Sequence, residues 1–335
     1  MSNCSNLFHD FNKDLKITKT KNINLMKSKD NIRKKIKKWF KENHPDYNPK
    51  FYIQGSRKLG TLIRTKDDTC DLDDGVYFER EVGVTGTTLQ KWIYEAVKDI
   101  TDADVVHKAK CIRVIYSGDY HIDIPVYYFL EDSEHPLLAV KDSELEESDP
   151  KDFVEWFDEL KCDQLIRIIK YLKAWGDHLR NKMPSGLAFT VLVEKNYVAD
   201  DRDDISFYKT LRAIKTDLEI IFECIMPTTP FDDLFSDYDQ DRIDRFFERL
   251  DSLIEDARIA IEDEENQLKA SKKWKKHLGK RFPEGLDENV DEKLEEHLKA
   301  ASLIASGKAG VDKLGHIKCK ELNDVPVKKH RFYGQ

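Results

Sequence analysis

Two stretches in the first hundred residues carry apolar side chains at helical spacing. The first predicts a helix over 28–42 with Ser28 as its N-cap, and the second predicts a helix whose N-cap is Thr87 or Thr88. The apolar stripes of these helices consist of Ile32, Ile36, Trp39 and Phe40, and of Leu89, Trp92, Ile93, Ala96, Val97 and Ile100. We expect each helix to be buried along its apolar stripe.

Alternation of apolar and polar residues predicts strands at 104–108, 111–116 and 120–130. The residues at 117–119, Ser-Gly-Asp, are typical of a tight turn, so the last two strands are expected to form a hairpin. Within the third strand, Ile122 and Ile124 flank Asp123. Because successive strand residues point to opposite faces, the Asp123 carboxylate is expected on the face opposite the apolar residues.

From about residue 150 the pattern becomes helical. Helices are predicted from about 165 to 179, from 206 to 222 and from 238 to 277, and the last fifty residues are polar, which favours a loosely packed arm or tail. The order of elements predicts an α+β fold, in which a mixed, mostly antiparallel sheet flanked by helices packs on a C-terminal helical domain. The expected division is 1–150, 151–285 and 286–335.

Composition limits the classes of function. The 335 residues carry a formal net charge of −8, so an obligate nucleic-acid-binding protein is not favoured. The lysines on the outer face of the first helix are expected to form a solvated surface. The six cysteines have no zinc-type spacing, and no signal peptide or stretch of membrane-spanning length is found, so a cytoplasmic protein with ordinary thiols is expected.

The candidate chemistry lies between the first helix and the second. Gly55 and Ser56 form a turn whose backbone N–H groups and hydroxyl suit phosphate oxygens. Asp71 and Asp73 follow on a strand, share one face, and offer the paired carboxylates that Mg²⁺ prefers. Asp123 is the natural third ligand, and three carboxylates suit two ions that clamp the attacking and leaving oxygens in nucleotidyl transfer.

The far wall of this site is expected to supply cations. Lys170 and Lys173 on the helix after the sheet are the candidates for triphosphate contacts, with Ser185 at the following turn. Acidic residues also cluster at 200–204, but that cluster favours a solvated loop and helix cap over a metal site.

Taken together, these motifs resemble the polymerase-β-type nucleotidyltransferase superfamily and, within it, the bacterial cGAS/DncV-like nucleotidyltransferases (CD-NTases). The resemblance is carried by the segments 54–56, 71–77, 121–125, 167–175, 184–186 and 274–283, and it covers roughly residues 28–283. It implies a polymerase-β-like core, with Asp71, Asp73 and Asp123 as catalytic metal ligands. By position it also implies Ser56, Lys170 and Ser185 as triphosphate contacts. With Gln54, Gly55 and Lys173, these residues make up the predicted nucleotide-binding set.

The resemblance further implies a function. It predicts a cyclic di- or trinucleotide synthase that uses two Mg²⁺ ions, or Mn²⁺, and ATP, GTP or other NTPs in an anti-phage system (CBASS). The partners implied are a downstream effector reached through the cyclic product and an ancillary enzyme that conjugates the C-terminal segment 325–335. Nucleic acid is not an expected partner, since the zinc-binding insertion of animal cGAS is missing.

Three alternatives stay open at this stage. The chain could make linear oligonucleotides or modify RNA without a template, which would require a basic surface track. It could be an inactive nucleotide-binding module, although three aspartates in register argue against that. An antibiotic adenylyltransferase would need an open pocket, which the long helical second half fits poorly.

Overall fold

The computed structural model describes residues 2–79, 82–130, 133–143, 146–180, 182–312, 314–320 and 325–327. The helices are α1 Ser5–Asp14, α2 Lys19–Asn43, α3 Gly55–Leu59, α4 Gly86–Val97, α5 Pro150–Leu160, α6 Asp163–Leu179, α7 Gly186–Asn196, α8 Asp203–Ile220, α9 Gln240–Arg258, α10 Gln267–Leu278 and α11 Val290–Ala305. The strands are β1 Lys50–Gln54, β2 Cys70–Phe78, β3 Val105–His107, β4 Ile112–Tyr116, β5 Tyr120–Ile124, β6 Val126–Tyr128, β7 Leu137–Leu138, β8 Glu146–Glu147, β9 Ala309–Val311, β10 Ile317–Cys319 and β11 Val325–Pro326.

The main sheet is built around β2. In the described residues its order is β3-β4-β5-β2-β6-β7-β8, with β1 also paired to β2. Among the described strands, only the pairings of β2 with β5 and β6 are parallel, so the expected α+β class with a mixed, mostly antiparallel sheet is confirmed. The predicted hairpin is present as β4 and β5, and the predicted strand 120–130 is divided into β5 and β6 at Pro125. Proline has no N–H for the ladder, which explains that interruption.

One face of the sheet is covered by α2 and α4, whose predicted stripes are largely buried there. Both predicted caps are wrong. The first helix begins nine residues earlier, because the Thr18 side chain accepts a hydrogen bond from the Lys21 amide. Ser28 lies inside that helix and bonds the Tyr120 hydroxyl instead. The second helix is capped by Thr85.

A second core joins the helices of the C-terminal half. It contains α6, α7, α8, α9 and α10, and α1 at the N-terminal end of the chain packs into it through Leu7, Phe8 and Phe11. The α6 helix matches the predicted one closely. The predicted helix 238–277 is wrong as a single element, because a π-helical turn at Ile259–Asp263 and a short break separate α9 from α10.

The acidic cluster at 200–204 is not the solvated loop expected from the sequence. Asp203 and Asp204 are 1% and 0% exposed, and each is paired with an arginine. No group of three His, Cys, Asp or Glu side chains suited to a metal is present among the described residues. The cluster is a structural one because a buried carboxylate needs such partners.

The polar C-terminal segment contains more structure than expected. It forms α11 and a small sheet in which β10 and β11 both pair with β9. Most of the segment implied for conjugation, residues 328–335, lies outside the described residues. None of the helices in the described ranges is long and apolar enough to cross a membrane.

Candidate functional site

The register of the sheet brings the predicted aspartates together. On β2, Asp71 pairs with His121 and Asp73 pairs with Asp123 of β5, while Gln54 of β1 lies beside Asp73 on the other side. Leu72, between the two aspartates, is fully buried. The carboxylates therefore share one face of the sheet, as the period-2 pattern predicts.

A large cavity lies in front of this face, between the sheet and the helical half. Its volume is about 750 Å³, which is the size range of small-molecule sites. Among the predicted site residues, those that line it are Gln54, Gly55, Ser56, Asp71, Asp73 and Lys173. Side chains and loops of the helical half, including Met183 and Thr229, form the opposite wall. The cavity is thus shared by the two halves of the molecule.

Gly55 sets the floor of the cavity. It has φ +60°, in the left-handed region, and a Cβ built on it would lie 2.1 Å from Asp73 Oδ2. Only glycine combines this backbone conformation with so close an approach to the carboxylate. The predicted Gly-Ser turn is in fact the first part of α3, a short helix that ends at Leu59 and has Gly60 as its C-cap. It places Ser56 at the cavity wall.

Two ionisable groups at the cavity, Asp73 and Lys173, have shifted pKa values. The pKa of Asp73 is raised to about 7, first by burial and then by the neighbouring charges of Asp71 and Asp123. The pKa of Lys173 is lowered by burial, although Asp71 and Asp73 oppose that effect. A half-buried carboxylate next to two further acidic groups is an environment that favours a cation. Since hard oxygen ligands suit divalent ions, Asp71 and Asp73 fit Mg²⁺ or Mn²⁺.

The two predicted lysines have different positions. Lys173 donates to the Thr61 carbonyl at 3.1 Å, and its Cε would be 2.9 Å from a Cβ on Gly186, so its ammonium lies at the N-terminus of α7. Lys170 is only 8% exposed and is not among the residues that line the cavity. Burial and the nearby cations of Lys16, Lys173 and Arg167 lower its pKa to about 8. Lys173 is therefore the lysine that the structure places at the cavity.

Gln54 and Ser185 are held by the protein itself. The Gln54 side chain is buried and joins two tyrosines: its amide donates to the Tyr127 hydroxyl at 2.9 Å, and its oxygen accepts from the Tyr77 hydroxyl at 3.1 Å. Ser185 caps α7 by accepting a hydrogen bond from the Ala188 amide at 3.1 Å, and it is not among the lining residues. Both residues stay predicted nucleotide contacts, with local structural roles in addition.

Asp123 has a partner on the neighbouring strand, Arg113. Arg113 of β4 donates from Nε to Asp123 Oδ1 at 2.6 Å, and from Nη2 to Oδ2. Asp123 does not line the cavity, in contrast to Asp71 and Asp73. The pair could have been found from the sequence, because a hairpin centred on Gly118 places residue 113 opposite residue 123.

A protein-family model matches the part of the chain that contains the three predicted aspartates. Residues 49–127 match the family model described as the nucleotidyltransferase domain of cyclic GMP-AMP synthase DncV-like proteins. This match contains the segment with the Gly-Ser turn and all three aspartates.

Solved structures support the fold of the whole chain. The structure of the Vibrio cholerae DncV cyclic AMP-GMP synthase, described as a prokaryotic cGAS homolog, aligns with a TM-score of 0.74 and 19% identity over 84% of this chain and 98% of that chain. A second structure of that synthase, in complex with the linear intermediate 5′ pppA(3′,5′)pG, aligns with a TM-score of 0.72 and 19% identity over 82% and 96%. The Escherichia coli DncV structure with 3′-deoxy GTP gives 0.67 and 20% over 80% and 93%.

The resemblance noted from the sequence is confirmed at this level: the chain contains a DncV-like nucleotidyltransferase domain over residues 49–127, and it has the overall fold of the DncV proteins.

Proposed function

We propose that this protein joins nucleoside triphosphates into a cyclic di- or trinucleotide by metal-dependent nucleotidyl transfer. The observation that carries the proposal is the placement of Asp71 and Asp73 on one wall of a shared cavity, next to Gly55 and facing the ammonium of Lys173. The domain match and the DncV fold support the same reaction class.

In the proposed reaction, a ribose hydroxyl of one nucleotide attacks the α-phosphorus of another. A new O–P bond forms, the hydroxyl loses its proton, and the bond to pyrophosphate breaks. Asp71 and Asp73, joined by Asp123, would hold two Mg²⁺ or Mn²⁺ ions, which stabilise the charge that develops on the attacking and leaving oxygens. A second round in the same cavity would close the ring.

The residues of the chain have distinct parts in this proposal. The backbone at Gly55 and the Ser56 hydroxyl would bind the β and γ phosphates at the start of α3. Lys173 would neutralise phosphate charge from the opposite wall, and Lys170 behind it would add to the positive potential. ATP and GTP are the proposed substrates, as the related Vibrio cholerae structures are described with ATP, GTP and a pppApG intermediate.

The test is to incubate the protein with each pair of NTPs and Mg²⁺ or Mn²⁺, and to identify phosphatase-resistant products by mass spectrometry. We expect a cyclic product from the wild type and none from the Asp71→Asn/Asp73→Asn double variant. The matched control is Asp102→Asn, since Asp102 is an exposed aspartate outside the cavity. Products that phosphatase degrades would favour the linear-oligonucleotide alternative, and unchanged turnover in the double variant would rule out this site.

The proposed biological setting is an anti-phage CBASS system in the cytoplasm, in which the cyclic product activates a downstream effector. An ancillary conjugating enzyme acting on the C-terminal segment is part of the same proposal. Both rest on the sequence resemblance to CD-NTases. They would be tested by measuring whether a phage-restriction phenotype in cells carrying the neighbouring genes requires Asp71 and Asp73.

A further inference from the structure

The Arg113–Asp123 pair lies at the edge of the proposed metal site. Both carboxylate oxygens of Asp123 accept hydrogen bonds from the guanidinium, and the two side chains are 13% and 25% exposed. A bidentate, partly buried pair of this kind is among the stronger polar interactions in proteins. Both oxygens of Asp123 therefore bind Arg113, although the Cα of Asp123 lies opposite the Cα of Asp73 in the sheet.

We infer that Arg113 is a positioning residue that holds Asp123 as a counter-ion while the site is empty of metal, and releases it to the cation when metal and nucleotide bind. The inference rests on the proposed function. It explains why two of the three aspartates line the cavity while the third does not.

The charge balance of the site supports this role. Without a cation, three carboxylates on adjacent positions of β2 and β5 repel one another. Arg113 enters from β4, the neighbour of β5, and pairs with the carboxylate nearest to it. A divalent ion would supply the same compensation, so Arg113 and the metal compete for one partner.

A matched pair exists on the opposite face of β2. Arg33 of α2 binds both oxygens of Asp74, with Nε 2.8 Å from Oδ2, and Asp74 is 1% exposed. Asp74 points away from the cavity, towards α2. The Arg33–Asp74 pair therefore has the same chemistry in the same sheet, on the strand next to that of Asp123, without access to the proposed metal site.

The test measures Mn²⁺ binding to the nucleotide-free protein by electron paramagnetic resonance of the free ion. We expect Arg113→Met to tighten Mn²⁺ binding about tenfold, which corresponds to about 1.4 kcal/mol. Arg113→Lys should give a smaller gain, since a lysine keeps the charge but not the two-pronged contact. Arg33→Met should leave Mn²⁺ affinity unchanged.

A double-mutant cycle separates competition for Asp123 from a general effect of charge. In an Asp123→Asn background, Arg113→Met should change Mn²⁺ affinity less than about twofold, because the contested carboxylate is gone. Equal tightening in both backgrounds, or none in either, would overturn the inference. If Arg113→Met does not fold, as judged by circular dichroism, Arg113→Lys in both backgrounds decides the question. If the wild type binds no Mn²⁺ even with a non-hydrolysable ATP analogue, the proposed function fails as well.

Discussion

At the scale of single residues, Gly55 is the position with the least freedom. Its positive φ and its contact with the Asp73 carboxylate are both incompatible with a side chain. We expect Gly55→Ala to lower the free energy of unfolding by about 1–3 kcal/mol and to lower turnover by at least about 100-fold, because Asp73 must move. Thermal unfolding and product formation would be measured together. The matched control is Gly83→Ala, where a Cβ meets no atom within 4 Å.

Asp73 should make the metal-free protein less stable at alkaline pH. Its pKa is raised from 3.8 to about 7, so between these values the folded state binds more protons than the unfolded state, and stability falls as the pH rises. Asp73→Asn removes the ionisable carboxyl and with it this loss of stability. At about 1.4 kcal/mol per pKa unit, reduced by partial exposure, we expect a gain of about 2–4 kcal/mol at pH 8.

To check this prediction, the free energy of unfolding of the wild type and of Asp73→Asn is measured at pH 5 and at pH 8 in the presence of EDTA. At pH 5 the wild-type carboxyl is largely protonated in the folded state, so the stabilisation by Asp73→Asn should be clearly smaller there. A gain that is the same at both pH values would contradict the assigned cause.

The sequence specified some of the site residues better than others. Asp71, Asp73 and Gly55 could be located from local spacing alone, because strand periodicity and glycine conformation act over a few residues. Lys170 and Lys173 lie three positions apart on one helix, so helical spacing alone predicts that both face the same side. Only the tertiary packing of α6 separates them, since it places Lys173 at the cavity and buries Lys170 away from it.

At the scale of elements, α6 carries the cationic wall and must be fixed against its neighbours. Arg167 binds Asp203 at the start of α8 through Nε at 2.7 Å and Nη2 at 2.8 Å, and the Tyr171 hydroxyl donates to the same carboxylate at 2.8 Å. These contacts join α6 to α8 inside the helical core. The sequence suggested only an acidic loop here, because Arg167 lies 36 residues before Asp203 along the chain.

We expect Asp203→Ala to lower the free energy of unfolding by about 3 kcal/mol, because it removes a buried carboxylate that binds Arg167 and Tyr171 and leaves the partly buried guanidinium of Arg167 without its counter-charge. Asp201→Ala in the same loop is the matched control, since Asp201 is exposed, and it should change stability by less than about 0.5 kcal/mol. Urea denaturation of the two variants checks the prediction. Similar losses in both would show that the loop, and not the ion pair, accounts for the effect.

At the scale of the whole molecule, two apolar cores meet around one cavity. The sheet core contains α2 and α4, and the helical core contains α1 and the helices from α5 to α10. Residues of the cavity come from both halves. A ligand that bridges them should therefore stabilise the folded chain as a unit.

We expect Mg²⁺-ATP at 100 times its dissociation constant to raise the free energy of unfolding by about 2.7 kcal/mol. The Asp71→Asn/Asp73→Asn variant should show a much smaller gain at the same ligand concentration, because it lacks the metal ligands proposed for the triphosphate. Differential scanning calorimetry with and without ligand makes the comparison. An equal gain in the double variant would indicate that ATP binds elsewhere.

The sequence by itself determined the class of fold, the strand that carries the aspartate pair, the hairpin that follows it and the helical second half. Hydrophobic periodicity and turn chemistry are local, so they can be recognised over a few residues. Tertiary structure alone decided which lysine faces the cavity and that Asp203 is buried against Arg167. These features depend on contacts between groups far apart in sequence, and such contacts exist only once the sheet and the helices have packed.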